Sequence, residues 1–161
     1  MSGYHLAQIN VGTLLQPIDH PQIKDFKDNL DRINALAEAQ AGFVWRLVGD
    51  GNDATDLRPF EDPDLLVNMS VWSGLDALAA FVYRSDHRDI MRRRREWFAP
   101  AETFMALWWV PAGHVPTTAE GWAALKTLEQ RGPTPAAFTF RQPFPAPDAL
   151  APEAPVLDRC A

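Results

Sequence analysis

Four apolar segments of strand length, residues 4–11, 43–48, 65–72 and 104–110, constrain this chain more than any other feature. Side chains alternate between the two faces of a strand. In the first segment His5, Ala7, Ile9 and Val11 share one face, and Tyr4, Leu6, Gln8 and Asn10 the other. In the third, Leu66, Asn68, Ser70 and Trp72 share a face, and Leu65, Val67, Met69 and Val71 oppose them. In the second, Phe43, Trp45 and Leu47 align against Arg46. Apolar residues therefore occupy both faces, and a sheet of such strands must be covered on both sides.

What lies between the strands supplies one cover. Asp19 or His20 can cap a helix with Pro21 near its first position, and Ile23, Phe26, Leu30, Ile33 and Ala37 recur at helical spacing before Gly42 stops it. A second helical region covers 75–83. Ser85 or Asp86 then caps a segment running to Phe98, which predicts a break near 84–86. Thr117 to Glu120 reads as a capping box for a third helix with Trp122, Leu125 and Leu128 on its apolar side, ended by Gly132-Pro133. The order β-α-β-β-α-β with an appended helix predicts an α+β, ferredoxin-like domain over residues 1–142. Residues 138–141 suit a short extra strand. Five prolines between 143 and 161 predict an extended or disordered tail. The helices cover one face, and the simplest cover for the other is the sheet of a second copy, so a homodimer is expected.

Charge and composition exclude some classes. The net charge of −6 argues against nucleic-acid binding, although residues 84–95 hold six arginines against two aspartates. No run reaches the roughly 20 apolar residues of a membrane helix. The first residues lack a secretory leader, and the single cysteine, Cys160, cannot form an internal disulfide, so a reduced, cytoplasmic protein is expected. His5, His20 and His114 lack metal-ligand spacing, Asp50, Asp53 and Asp56 lack a calcium-loop register, and no nucleotide-binding or nucleophile-elbow motif is present. No metal is expected. Residues 49–63 form a polar loop longer than the usual roughly 4–6 residues, and Arg58 and Phe60 could fold it over a pocket as a lid.

The stretches YHLAQINVGTLL, AGFVWRL, ATDLRPF, LLVNMSVW, FVYRSDHRDIMRRRREWF, LWWVPAGHVPT and GPTPAAFTFRQPFPAP together resemble an uncharacterised bacterial family, a domain of unknown function, within the dimeric α/β-barrel superfamily. The resemblance runs from about Tyr4 to Pro147. It implies a dimeric α/β barrel with a small-molecule pocket between each sheet and its own helices. It also implies relatives that include cofactor-independent antibiotic-biosynthesis monooxygenases and haem enzymes.

Asn68 and Trp72 stand four apart on one strand and so share a face. The resemblance to quinone-forming monooxygenases implies that Asn68 donates to a substrate oxygen, Trp72 shapes the pocket and Arg92 offsets developing negative charge on an electron-rich phenol. Leu78 departs from that pattern where a Tyr would be expected. Trp45, Ser70, Tyr83 and Trp108 are the further pocket candidates. Trp108 and Trp109, being adjacent, must face opposite sides. His87, at the start of its helical segment, is a candidate base or hydrogen-bond partner, or, under an alternative, the axial ligand of a haem. The Arg92–Arg95 run spans a whole helical turn, so not all four can face inward. The leading expectation is a cofactor-independent monooxygenase-like enzyme acting on an aromatic or conjugated substrate. The alternatives are a haem enzyme and a non-catalytic dimeric small-molecule binder.

Overall fold

A computed structural model describes residues 3–49, 53, 55, 62 and 64–150. Asp50, Asp56, Arg58, Phe60, Cys160 and the last eleven residues, 151–161, lie outside the described residues, as does most of the 49–63 loop. Strands β1 (Tyr4–Thr13), β2 (Phe43–Arg46), β3 (Leu65–Trp72) and β4 (Met105–Pro111) form one antiparallel sheet in the order β2-β3-β1-β4. Helix α1 (Lys24–Ala39) joins β1 to β2. Helices α2 (Leu75–Arg84) and α3 (His87–Arg92) join β3 to β4, and α4 (Thr118–Arg131) follows. This is the ferredoxin-like α+β fold with an added C-terminal helix.

The predicted local signals act where expected. His20 Nδ1 accepts a hydrogen bond from the Gln22 N–H at 3.0 Å, starting a 3-10 turn at Pro21–Ile23 that leads into α1. Thr117 Oγ1 accepts from the Glu120 N–H at 3.1 Å, a cap that contributes about 1 kcal/mol. The Glu120 carboxylate turns instead to His114 Nε2, 2.9 Å away. Gly132, at φ 71°, closes α4 in the left-handed conformation that favours glycine.

The helical region after β3 breaks at Ser85, whose backbone is extended. Its hydroxyl bonds the Phe81 carbonyl, and the His87 N–H donates to the same oxygen at 3.2 Å. The second segment does not continue as an α-helix to Phe98. It ends at Arg92 and tightens into a 3-10 turn at Arg94–Glu96.

The second face of the sheet is covered by the chain itself. Helix α4 lies on Ala7, Ile9 and Val11, on Val67, Met69 and Val71, and on Ala106, Trp108 and Val110, adding Ala124, Leu125 and Leu128. Gly121 permits this close approach, because a Cβ there would sit 2.9 Å from Ile9 Cδ1 and 3.0 Å from Met69 Sδ. The cover that the sequence argument assigned to a twin sheet is thus supplied by α4. Fully burying side chains such as Leu125 and Leu128 stabilises the docked helix by roughly 1.5–3 kcal/mol each.

Residues 138–141 make a single bridge to β4 rather than a strand, with Leu107 and Phe138 exchanging backbone bonds of 2.9 and 2.8 Å. Beyond them, residues 143–150 are not a free tail. Trp109 Nε1 donates to the Phe144 carbonyl at 2.9 Å, Ala146 is buried, and the Gly3 N–H reaches Asp148 Oδ2 at 2.6 Å. Their prolines stop them from entering the sheet without stopping them from packing on its edge.

Candidate functional site

The helix-covered face differs from the α4 face in one respect: polar side chains interrupt its apolar residues. Toward one end, Leu6 and Trp72 pack with Ala37, Leu78 and Phe81. Toward the other, Leu14 and Leu66 pack with Ile23, Trp97 and Phe98. Gly12 lets the Phe98 ring lie on β1, where a Cβ would come within 2.5 Å of it. Between the two clusters stand Gln8 and Asn10 on β1 and, directly opposite, Ser70 and Asn68 on β3. The helices rest on the clusters, and a cavity of about 160 Å³ remains over the polar row.

The row is one hydrogen-bonded network. Gln8 Nε2 donates to Asn68 Oδ1 at 2.7 Å and to Ser70 Oγ at 2.8 Å. Asn10 Nδ2 donates to Gln8 Oε1 and Asn68 Oδ1, both at 3.1 Å. Trp72 Nε1 donates to Ser70 Oγ at 2.8 Å. Gln8 is 4 % exposed, so its amide has little access to water and its orientation is set by these partners. Asn68 Oδ1 already accepts two bonds. Its Nδ2 hydrogens have no partner among the described residues. Trp72 forms an end wall, stacked on Phe81 at 5.2 Å and met edge-on by Phe43 at 5.4 Å.

Two further groups complete the lining. His87 packs 4.7 Å from the Phe81 ring, and its Nδ1 is buried without a hydrogen-bond partner. Burial pushes its pKa down to about 4, against an opposing contribution from the Val82 backbone, so the ring is neutral at pH 7. Arg94 Nη2 donates to the Val11 carbonyl at 2.8 Å, and the guanidinium lies 4.2 Å from the Phe104 ring centre and 4.8 Å from that of Phe98. Burial lowers its pKa from the usual arginine value.

The structure therefore brings together Asn68, Ser70, Trp72 and His87 of the predicted residues and separates the rest. Arg92 is two-thirds exposed, 3.9 Å from Asp89, and does not line the cavity; Arg94 does. The α-helix ends at Arg92, so helical phase does not carry over to the following residues. Arg93 turns away to Asp25 at 2.8 Å and Glu96 at 2.7 Å. Trp45 packs on the α4 face. A register shift between Phe43 and Trp45 puts Phe43 with the cavity-side cluster, so the two do not share a face as predicted. Arg46 does point to the cavity side, where it pairs with Glu38 at 2.9 Å. Tyr83 is half exposed and meets Phe140 edge-on at 5.3 Å, outside the cavity. Trp108 belongs to the α4 face, and Trp109 is the one on the helix-covered side. Of the 49–63 loop, Asp53 and Thr55 are described and line the cavity, joined by a 2.5 Å hydrogen bond.

Gln8, Asn10 and Arg94 are the site residues that sequence reasoning missed. The signal for the first two was available: two polar residues spaced by two on β1 match two spaced by two on β3, within otherwise apolar strands.

The model of the family described as Domain of unknown function (DUF3291) matches residues 5–154. The chain belongs to this family. No curated protein matches it. Among solved structures, it is similar to SnoaB, a cofactor-independent oxygenase from Streptomyces nogalater, at 18% identity and a TM-score of 0.48, covering 70% of this chain and 98% of that one. It is also similar to PA3566 from Pseudomonas aeruginosa, at 16% identity and a TM-score of 0.46, covering 71% and 98% of the two chains. NE2512, a protein of unknown function from Nitrosomonas europaea, is similar at 14% identity and a TM-score of 0.45, covering 71% and 97%.

For the haem alternative, His87 is the cavity-lining histidine, and its Nδ1 is buried beside the Phe81 ring. Among the described residues no three or more His, Cys, Asp or Glu side chains are grouped to hold a metal ion, and no helix is long and apolar enough to cross a membrane.

Proposed function

We propose that this protein is a small-molecule enzyme of the cofactor-independent monooxygenase type, acting on a small oxygenated aromatic or conjugated compound. The observation that carries the reading is Asn68, a cavity-lining residue whose amide oxygen accepts from Gln8 and Asn10 and whose N–H donors have no partner among the described residues. The cavity volume supports a small ring, since apolar cavities of roughly 150 Å³ accept benzene.

The proposed step is loss of the substrate hydroxyl proton to give an oxyanion whose ring carbon reduces O₂. A carbon–oxygen bond forms, and protonation yields a hydroperoxide. Loss of water then leaves a carbonyl, so one oxygen atom enters the product and the other leaves as water. Asn68 donates to the substrate oxygen and Arg94 offsets its charge, the role the resemblance implied for Arg92. Hydrogen bonds to a charged group contribute about 1.5–3 kcal/mol each, which lowers a phenol pKa by roughly one to two units per bond. His87 is not the base in this scheme. Its ring is neutral at pH 7 and its Nδ1 is buried, so it shapes the cavity wall beside Phe81. The phenol proton is released to bulk solvent beside the exposed Asn68, at a cost of about 4 kcal/mol at pH 7 for a phenol pKa of roughly 10, before the hydrogen bonds to the oxyanion lower it. All these groups come from one chain, so the scheme needs one protomer.

Oxygen uptake and quinone formation with a panel of single-ring phenols test the reading. Asn68→Ala is expected to slow turnover about 10- to 100-fold with folding intact. A variant that turns over at the parent rate removes Asn68 from the chemistry.

A further inference from the structure

The hydrogen-bonding groups left open in the cavity are unequal in kind, and the inequality has a sign. Ser70 Oγ accepts from both Gln8 Nε2 and Trp72 Nε1, so its remaining capacity is its own O–H. Asn68 offers N–H. Arg94 spends one N–H on the Val11 carbonyl, and no carboxylate among the described residues lies within ion-pair distance of it. Arg46, the other lining cation, has Glu38. Against these donors stand the open acceptor Asn10 Oδ1 and the Asp53 carboxylate, which Thr55 engages through Oδ1 alone. Val11 directly follows Asn10, whose cross-strand partner is Asn68, so the Arg94 guanidinium lies at the Asn end of the polar row.

A guanidinium partly withdrawn from water and held over two aromatic rings, with one carbonyl for a partner among the described residues, is an incomplete ion pair. A neutral phenol would leave it incomplete. We infer that the cavity takes an anionic ligand, an aromatic carboxylate whose carboxylate group meets Arg94. The inference rests on the reading that this cavity is the ligand site, and it narrows the substrate from oxygenated rings in general to hydroxylated aromatic acids. Arg is suited to this task because its planar fork can bind both carboxylate oxygens.

Calorimetric titration of the full chain with 4-hydroxybenzoate and with 4-hydroxybenzamide tests it, since the two share ring and size and differ in charge. The acid is expected to bind about 10- to 100-fold more tightly, in line with charge-assisted hydrogen bonding. Arg94→Gln, which removes the charge, is expected to abolish that preference. Arg94→Lys, which keeps the charge, is expected to retain part of the preference. Equal binding of acid and amide by the parent protein overturns the anionic inference and leaves the cavity as a ligand site. Binding of neither overturns both. A folded Arg94→Lys with no preference, or an Arg94→Gln that keeps the full preference, removes Arg94 as the anchor.

Discussion

The two faces of this sheet are made by the same strands and do different work. On the α4 face Ala7, Ile9 and Val11, Val67, Met69 and Val71, and Ala106, Trp108 and Val110 are at most 8 % exposed, with His5 the polar residue at the end of the β1 row. One residue along each strand, the opposite face carries Gln8, Asn10, Asn68 and Ser70. Strand propensity cannot account for the difference, because the strands are shared. Helix contact does. Gly121 removes the side chain that would hold α4 away, and the helix closes onto the sheet. On the other side, aromatic clusters at the two ends carry α1, α2 and α3 and leave a cavity between them. One face therefore holds the stability of the domain, and the other gives up packing for a cavity lined by polar groups.

The contrast breaks most easily on its solid side. Trp108→Ala is expected to lower unfolding free energy by about 3–5 kcal/mol, the cost of deleting a large buried aromatic. Urea denaturation measures it. A loss below about 1 kcal/mol would mean that the α4 face is not the packed core described.

The cavity face responds next, to pH. His87 is neutral in the folded protein with a pKa near 4 and has an ordinary value of 6.5 when unfolded. Between those values the unfolded chain binds the extra proton, so stability is full above about pH 6.5 and falls as the pH drops toward 4. The shift corresponds to about 3 kcal/mol. Denaturation midpoints from pH 7 to pH 4 should show the decline, and His87→Leu should flatten that part of it. An unchanged slope in the variant would assign the decline to other groups.

How far each face could be read in advance follows the same division. Period-two alternation placed Asn68, Ser70 and Trp72 on one side and Val67, Met69 and Val71 on the other without ambiguity, because register admits no intermediate position. Capping chemistry placed the starts of α1 and α4 and the break at Ser85. What failed was long-range or aperiodic. The apolar side of α4 was visible in Trp122, Leu125 and Leu128, but nothing local says which surface it meets, and a twin sheet was a sufficient answer for the same dry face. The register shift in β2 moved Trp45 away from Phe43 by inserting one residue that no pattern announces. The proline-rich residues 143–150 read as a tail because composition measures the inability to form a core of one's own, not the ability to dock on another.

The smallest expected effect gives the finest test. Arg92 and Arg94 differ by two positions, yet one lies in solvent beside Asp89 and the other lies over Phe98 and Phe104. Extending the α3 helix past Arg92 would put both on a continuous spiral, with either free to face the sheet. The 3-10 turn at Arg94–Glu96 removes that freedom and commits Arg94 inward. Arg92→Ala is therefore expected to change stability by no more than about 0.5 kcal/mol, as for an exposed ion pair, and to leave oxygen uptake and 4-hydroxybenzoate binding unaltered. Side by side with Arg94→Gln in one titration, the pair isolates position from charge, since each variant removes one positive charge from the same short segment. Matching losses of affinity in both would point to the general field of the arginine cluster and dissolve the distinction between the two residues. A loss confined to Arg94→Gln would place the interaction at the cavity.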